Sequence, residues 1–224
     1  MGFWGSLVST AVSVVSSAVK IIDATAKVVG RVIVEKSRDL LKLSIDTLKA
    51  VTEMLEVIAK SIDILTPNEN MEDLGDRATR ADKNIEDFDS SKEYIQYLRD
   101  EVTAKSEDEI EMLPASERVA KRVIGGSIVS KAIEEEFSVT IPVKFWDKVV
   151  SARLSGDEIT QLLKRFDNKG IEPKDFAKYI DRELSGESEE KIDTFLLQTY
   201  KEIEPNATQQ DIEEKILDMQ RVKG

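Results

Sequence analysis

Cysteine and histidine are both absent from this chain of 224 residues. Without cysteine the chain has no disulfide and no thiol nucleophile, and without histidine it has neither a Ser-His-Asp triad nor the usual zinc ligands. Basic residues are in the minority, because 32 Lys and Arg face 44 Asp and Glu, a net charge of −12. An acidic chain is not expected to bind nucleic acid, whose phosphates require a basic surface.

Sequence motifs of catalysis and phosphate binding are missing as well. The chain has no Gly-rich phosphate loop, no GxSxG and no HExxH. Its acidic clusters, 107–109 and 134–136, have the composition of solvated faces. We therefore expect a protein that is not an enzyme, with no cofactor and no metal site. A carboxylate-dependent enzyme is the weaker alternative.

The N-terminus does not resemble a secretory signal. The first charged residue is Lys20, so a basic leader region is missing, and no small-residue cleavage site precedes a change of pattern. The run from Phe3 to Val19 is uncharged but short for a membrane span and rich in serine. We expect a protein with no signal peptide that is cytoplasmic or peripheral to a membrane.

The strongest pattern is an 11-residue apolar rhythm in the first 65 residues. Three columns repeat at this spacing: Leu7, Ala18, Val29, Leu40, Val51, Ile62; Ile21, Val32, Leu43, Met54, Leu65; and Ala11, Ile22, Ile33, Ser44, Leu55. Eleven residues complete three turns at about 3.67 residues per turn, so the apolar stripe stays straight along a helix. The pattern predicts one amphipathic helix from Phe3 to Leu65, bent or frayed at Gly30 in one interpretation.

In period this segment resembles the 11-residue helices of apolipoproteins and synucleins. The synuclein repeat consensus and the regular prolines of apolipoproteins are absent from it. The resemblance implies a helix that lies along a surface. Burial of the same stripe by other helices, of this chain or of a neighbouring one, is the alternative interpretation.

Two sets of residues are predicted to form the functional surface. The membrane or assembly face comprises Phe3, Trp4, Leu7, Ala11, Ala18, Ile22, Val29, Ile33 and Leu40. A ridge of small residues at four-residue spacing, which permits close helix–helix contact, comprises Gly5, Ser9, Ser13 and Ser17. Phe3 and Trp4 add aromatic side chains, which favour membrane interfaces.

The distribution of charge suggests two parts. Residues 1–66 carry eight basic and seven acidic residues, a net charge of +1, so the remainder carries −13. We expect a long helix over 1–66, a linker at 67–70 that contains Pro67, and an acidic helical domain over 71–224.

Within the acidic domain, several sequence signals predict where helices begin. They are a capping serine at Ser90 or Ser91, Pro114, a capping box at Ser155 and Glu158, Pro173, and a variant cap at Thr208 and Asp211. Gly125-Gly126 predicts either a kink or a tight helix crossing. Leu-Ser-Gly recurs at 154–156 and 184–186, which leaves open a helix–turn–helix duplication over 154–183 and 184–219.

Together these patterns predict an all-α, non-enzymatic protein that associates with a lipid membrane surface and forms homo-oligomers. Pore formation is a further hypothesis. The alternative is a soluble adaptor or scaffold whose long helix packs on a protein partner or on its own domain.

Overall fold

The computed structural model describes residues 3–221, and the side chains of these residues except 3–11, 107 and 167–169. This part of the chain is entirely helical, with no strand. It divides into two compact units, Met1–Glu135 and Glu136–Gly224. The division therefore falls well after the linker at 67–70 that the sequence suggested.

Residues 3–65 do not form the single helix that the 11-residue rhythm predicted. They form four helices: α1 (Phe3–Ala24), α2 (Ala26–Val29), α3 (Arg31–Leu40) and α4 (Ile45–Ser61). Gly30 separates α2 from α3 at a φ of +92°, a conformation that favours glycine. Gly30 is thus a full break and not a bend in one helix, and helices also end at Ala24 and Leu40.

Side-chain hydrogen bonds explain two of these interruptions. The carboxylate of Glu86 accepts hydrogen bonds from the backbone N–H of Arg31 at 2.7 Å and of Val32 at 3.4 Å, so it satisfies the start of α3. The hydroxyl of Ser44 accepts from the backbone N–H of Thr47 at 3.1 Å and caps α4. Each cap offers the backbone an alternative to continuing the preceding helix.

Unit 1 continues with four further α-helices and a short 3-10 turn at Ile85–Asp87. The helices are α5 (Met71–Ala78), α6 (Ser91–Glu101), α7 (Glu107–Glu111) and α8 (Ala115–Phe137), the last of which extends two residues past the unit boundary. Ser90 caps α6 by accepting from the backbone N–H of Glu93 at 3.2 Å.

Two glycines bring α5 and α8 into backbone contact. A Cβ on Gly75 would overlap the carbonyl oxygen of Lys121, and a Cβ on Gly125 would overlap that of Met71. Helix α8 runs through this point without interruption. Of the two interpretations of Gly125-Gly126, the tight crossing is therefore correct.

Unit 2 consists of five helices: α9 (Val143–Ser151), α10 (Gly156–Lys169), α11 (Pro173–Ile180), α12 (Glu187–Ile203) and α13 (Gln209–Arg221). Helix α11 contacts α9 and α13, and α10 contacts α12, so alternate helices stack in two layers. Aromatic rings fill the space between them, with Phe145, Phe166 and Phe176 mutually in contact. The helix–turn–helix pair α10–α11 lies within 154–183, and the pair α12–α13 begins within 184–219 and ends two residues beyond it, at Arg221.

Candidate functional sites: the N-terminal helix and a charged cleft

Most of the predicted membrane face is buried in unit 1. Five of its residues have at most 4 % of their surface exposed, namely Ala18, Ile22, Val29, Ile33 and Leu40. Their prediction as a lipid-facing surface is corrected accordingly, since the breaks in the helix let the stripe fold inward and pack as core. The side chains of Phe3, Trp4, Leu7 and Ala11 lie outside the described residues, as do those of Gly5 and Ser9 in the ridge.

The uncharged half of α1 differs from the rest of that helix in exposure. Val12 is 64 % exposed, and Ser13, Ser16 and Ser17 are exposed as well. Among the described side chains of α1, Ala18 is the first buried one along the chain, and α1 contacts α2 and α3. Helix α1 thus has two buried residues, Ala18 and Ile22, in its C-terminal part, whereas the described side chains at 12–17 are exposed or partly covered.

Three exposed basic residues follow residues 3–17 in the sequence. Lys20, Lys27 and Arg31 are exposed, and the structure gives their side chains no acidic partner within the described part of the chain. By contrast, Arg38 pairs with Asp23 at 2.9 Å and Lys36 pairs with Glu134 at 2.7 Å. Lys20 directly follows the uncharged segment on α1, whereas Lys27 and Arg31 belong to α2 and α3.

A charged cleft of about 810 Å³ lies elsewhere in unit 1, among α4, α5, α7, α8 and the segments between them. Its residues include acids and bases in nearly equal number: Glu53, Glu56, Glu69, Glu72, Asp73, Glu111, Arg77, Arg99, Lys105, Arg118 and Arg122. Helix α5 supplies the central carboxylates. The tight crossing at Gly75 and Gly125 brings them beside the cations of α8.

Asp76 lies on the same helix, α5, outside the cleft lining, and has no exposed surface. It accepts hydrogen bonds from Lys121, from Lys105 at 3.1 Å and from Arg80 at 2.6 Å. Burial opposes its ionisation, but these three cations outweigh burial and hold the pKa of Asp76 below its usual value. Asp76 is therefore a charged structural centre.

Asp73 lies three residues earlier on α5 and behaves oppositely. Arg77 donates to its Oδ2 at 3.0 Å, but its Oδ1 is buried and has no hydrogen-bond partner. Burial raises the pKa of Asp73 above its usual value, because the single cation does not compensate for lost hydration and for the nearby charges of Asp76 and Glu69.

Three arginines of this region bind backbone carbonyls. Arg77 donates to the carbonyls of Leu98, Arg99 and Val102 at the end of α6. Arg80 reaches the carbonyl of Thr103 at 2.8 Å, in the segment that follows. Arg99 donates to both carboxylate oxygens of Glu69 and to the carbonyl of Ile64. Such bonds satisfy groups that a helix end leaves unpaired, so these arginines have a structural role.

Arg118 and Arg122 are arranged differently, because both bind one carboxylate. Arg118 donates to Glu72 at 3.1 Å and Arg122 donates to its other oxygen. Their side chains remain 38 % and 34 % exposed. A guanidinium has five N–H donors, so each arginine keeps several that have no acceptor among the described residues.

Unit 2 has a smaller charged site around Lys215. Its ammonium lies 2.8 Å from Glu158, binds Glu204 and stands 4.7 Å from the ring centroid of Tyr200. Burial lowers the pKa of Lys215, but the hydrogen bonds to Glu158 and Glu204 outweigh it and hold the pKa above its usual value. These bonds join α10, α12 and α13 and stabilise the two-layer packing.

Sequence reasoning missed the charged cleft. The segment around α5 reads as highly charged and weakly apolar, which favours a solvated helix. The usable signal is the pairing of Asp73 with Arg77 and of Asp76 with Arg80 at four-residue spacing. The long-range partners on α8 have no such local signature.

No known protein family, curated protein or solved structure matches this chain. Among the described residues, the helices are too short or too polar to cross a membrane. In the same part of the chain, acidic residues form no cluster that would hold a metal ion.

Proposed function

We propose that this chain is a non-enzymatic protein that attaches to a lipid membrane through residues 3–17, the N-terminal half of α1. The observation that carries the proposal is the contrast within α1, where Val12 is 64 % exposed and Ala18 is fully buried. Among the described side chains of this uncharged segment, Val12 is an exposed apolar group, and such a group is stabilised by another apolar environment.

The dimensions of this segment favour a position in the membrane interface. Fifteen helical residues extend about 22 Å, which is shorter than the roughly 30 Å of a hydrocarbon core. A helix with aromatic residues at one end and serines along one side suits the boundary between headgroups and acyl chains. Phe3 and Trp4 supply the aromatic residues, and the exposed Lys20, Lys27 and Arg31 face anionic headgroups in this arrangement.

The charged cleft supports the non-enzymatic part of the proposal. Asp76, Glu69 and Glu72 each bind at least one cation, and two of these cations, Arg80 and Arg99, bind backbone carbonyls as well. This pattern is typical of networks that hold helices together. Self-association along Gly5, Ser9, Ser13 and Ser17 and pore formation stay predictions that no described contact supports.

Co-sedimentation with vesicles tests the proposal. Full-length protein should sediment with phosphatidylcholine vesicles, and more strongly when phosphatidylglycerol is included. Leu7→Asp should abolish sedimentation, because a charge in the interface removes the benefit of apolar burial. Val57→Asp is the matched control, since Val57 is 55 % exposed on α4 and outside the segment.

A soluble adaptor is the second candidate function, favoured by the burial of Ile22, Val29 and Ile33 in the chain's own core. It predicts that wild type, Leu7→Asp and Val57→Asp all stay in the supernatant. That result would overturn the membrane proposal.

A further inference from the structure

Two carboxylates in and beside the charged cleft are each shared by several cations. Glu72 is shared by Arg118 and Arg122, and Asp76 by Arg80, Lys105 and Lys121. Of these residues, Arg118, Arg122 and Lys105 line the cleft, whereas Asp76, Arg80 and Lys121 lie outside its lining. With the lining acids Glu72 and Glu111, the three lining cations have a net charge of +1.

The other acids that line the cleft have cations of their own. Glu69 pairs with Arg99, Asp73 with Arg77, Glu56 with Lys60 and Glu53, more loosely at 3.9 Å, with Lys49. Unit 1 as a whole has a net charge of −7. The cleft lining as a whole has six acids and five bases, so the positive excess is confined to Arg118, Arg122 and Lys105 with Glu72 and Glu111.

The three cations have the accessibility that a ligand requires. Arg118, Arg122 and Lys105 are each about one third exposed. Two guanidinium groups that share one carboxylate keep N–H donors that can bind an oxyanion bidentately. The cleft volume of about 810 Å³ lies within the range of small-molecule pockets.

The other residues that line the cleft indicate the chemistry of the uncharged part of such a ligand. Apolar side chains are few, and Thr66 and Asn68 contribute polar groups instead. We propose that this cleft binds a small hydroxylated oxyanion, a phosphate ester or a carboxylate, through Arg118, Arg122 and Lys105. The proposal is independent of the membrane attachment of α1.

Binding measurements with three compounds that share a hydroxylated six-carbon skeleton test this proposal: glucose 6-phosphate, gluconate and glucose. Calorimetry and thermal unfolding of the full chain should show binding of at least one charged sugar, with a raised Tm at millimolar concentration, and no binding of glucose. Tighter binding of glucose 6-phosphate assigns a phosphate, and tighter binding of gluconate assigns a carboxylate. Absence of binding by both, or equal binding of glucose, would overturn the proposal.

Variants locate the site. The double variant Arg118→Gln with Arg122→Gln should weaken binding of the charged sugar at least tenfold. Lys105→Gln should weaken binding of the charged sugar severalfold. This variant keeps Lys121 and Arg80 paired with Asp76, so it tests the site even if the double variant does not fold. Arg38→Gln is the control, because it removes an exposed cation of the same unit outside the cleft. Wild-type affinity in Lys105→Gln and in the folded double variant would contradict the proposal.

Discussion

Asp73 and Asp76 lie within one turn of α5, but their pKa values shift in opposite directions. Three cations surround Asp76, so its pKa is lowered, whereas one cation serves Asp73, whose pKa is raised. A group with a lowered folded-state pKa contributes stability above its unfolded pKa of about 3.9, and this stability is lost as the pH falls through the folded value. A group with a raised pKa makes the folded state less stable once it ionises.

The two residues should therefore differ sharply when replaced by asparagine. At pH 7, Asp76→Asn should lower the free energy of unfolding by about 3–5 kcal/mol, because it leaves the buried ammonium of Lys121 without a counter-charge. Asp73→Asn should leave that free energy unchanged or raise it by up to about 1 kcal/mol, since it removes a costly buried charge. Urea denaturation at pH 7 and pH 5 measures both effects. Equal losses in the two variants would contradict the assignment of opposite roles.

At the scale of helices, the crossing of α5 and α8 depends on glycine. Alanine normally favours a helix over glycine by about 1 kcal/mol. At Gly125 the added Cβ would overlap the backbone of Met71, which moves only with α5 itself. Gly125→Ala should therefore destabilise the protein by roughly 1–3 kcal/mol.

Gly126 is the matched control for this crossing. A Cβ there would lie 3.3 Å from the Cγ2 of Thr52, a side-chain atom. Gly126→Ala should change stability by less than about 1 kcal/mol in either direction, since helix propensity offsets the small adjustment. Thermal unfolding compares the two variants. A loss in Gly126→Ala as large as that in Gly125→Ala would mean that the helices do not meet as described.

Local signals predicted helix starts well, because they involve neighbouring residues. The capping box of Ser155 and Glu158 and the variant cap of Thr208 and Asp211 both form as expected. The breaks in the first 65 residues were harder to predict, because the apolar rhythm passes through them unchanged. Apolar residues have the same spacing in the sequence whether the helices fold back to form a core or remain one straight helix on a membrane. Periodicity therefore does not distinguish a core face from a membrane face.

At the scale of the whole molecule, most of the described apolar stripe belongs to the core of unit 1. Residues 3–17 are the part that we propose for contact with a membrane. The sequence indicated the all-α class through its helical periodicity and caps. It did not indicate the charged cleft or the two units, which depend on contacts between residues far apart in the chain, such as Lys36 with Glu134 and Glu72 with Arg122.

Tryptophan fluorescence reports directly on membrane attachment, because the chain has two tryptophans in different settings. Trp146 is buried, and its Nε1 has no hydrogen-bond partner, so Trp146→Phe removes an unsatisfied polar group while it keeps an aromatic ring in the core. In that variant Trp4 is the sole tryptophan.

The decisive measurement is the emission of Trp4 in the Trp146→Phe variant as vesicles are added. Attachment through residues 3–17 predicts a shift of the emission to shorter wavelength and protection from acrylamide, since Trp4 enters the membrane interface. Adding Leu7→Asp should abolish both effects, whereas adding Val57→Asp should preserve them. Unchanged emission and unchanged acrylamide quenching at saturating lipid would contradict the account.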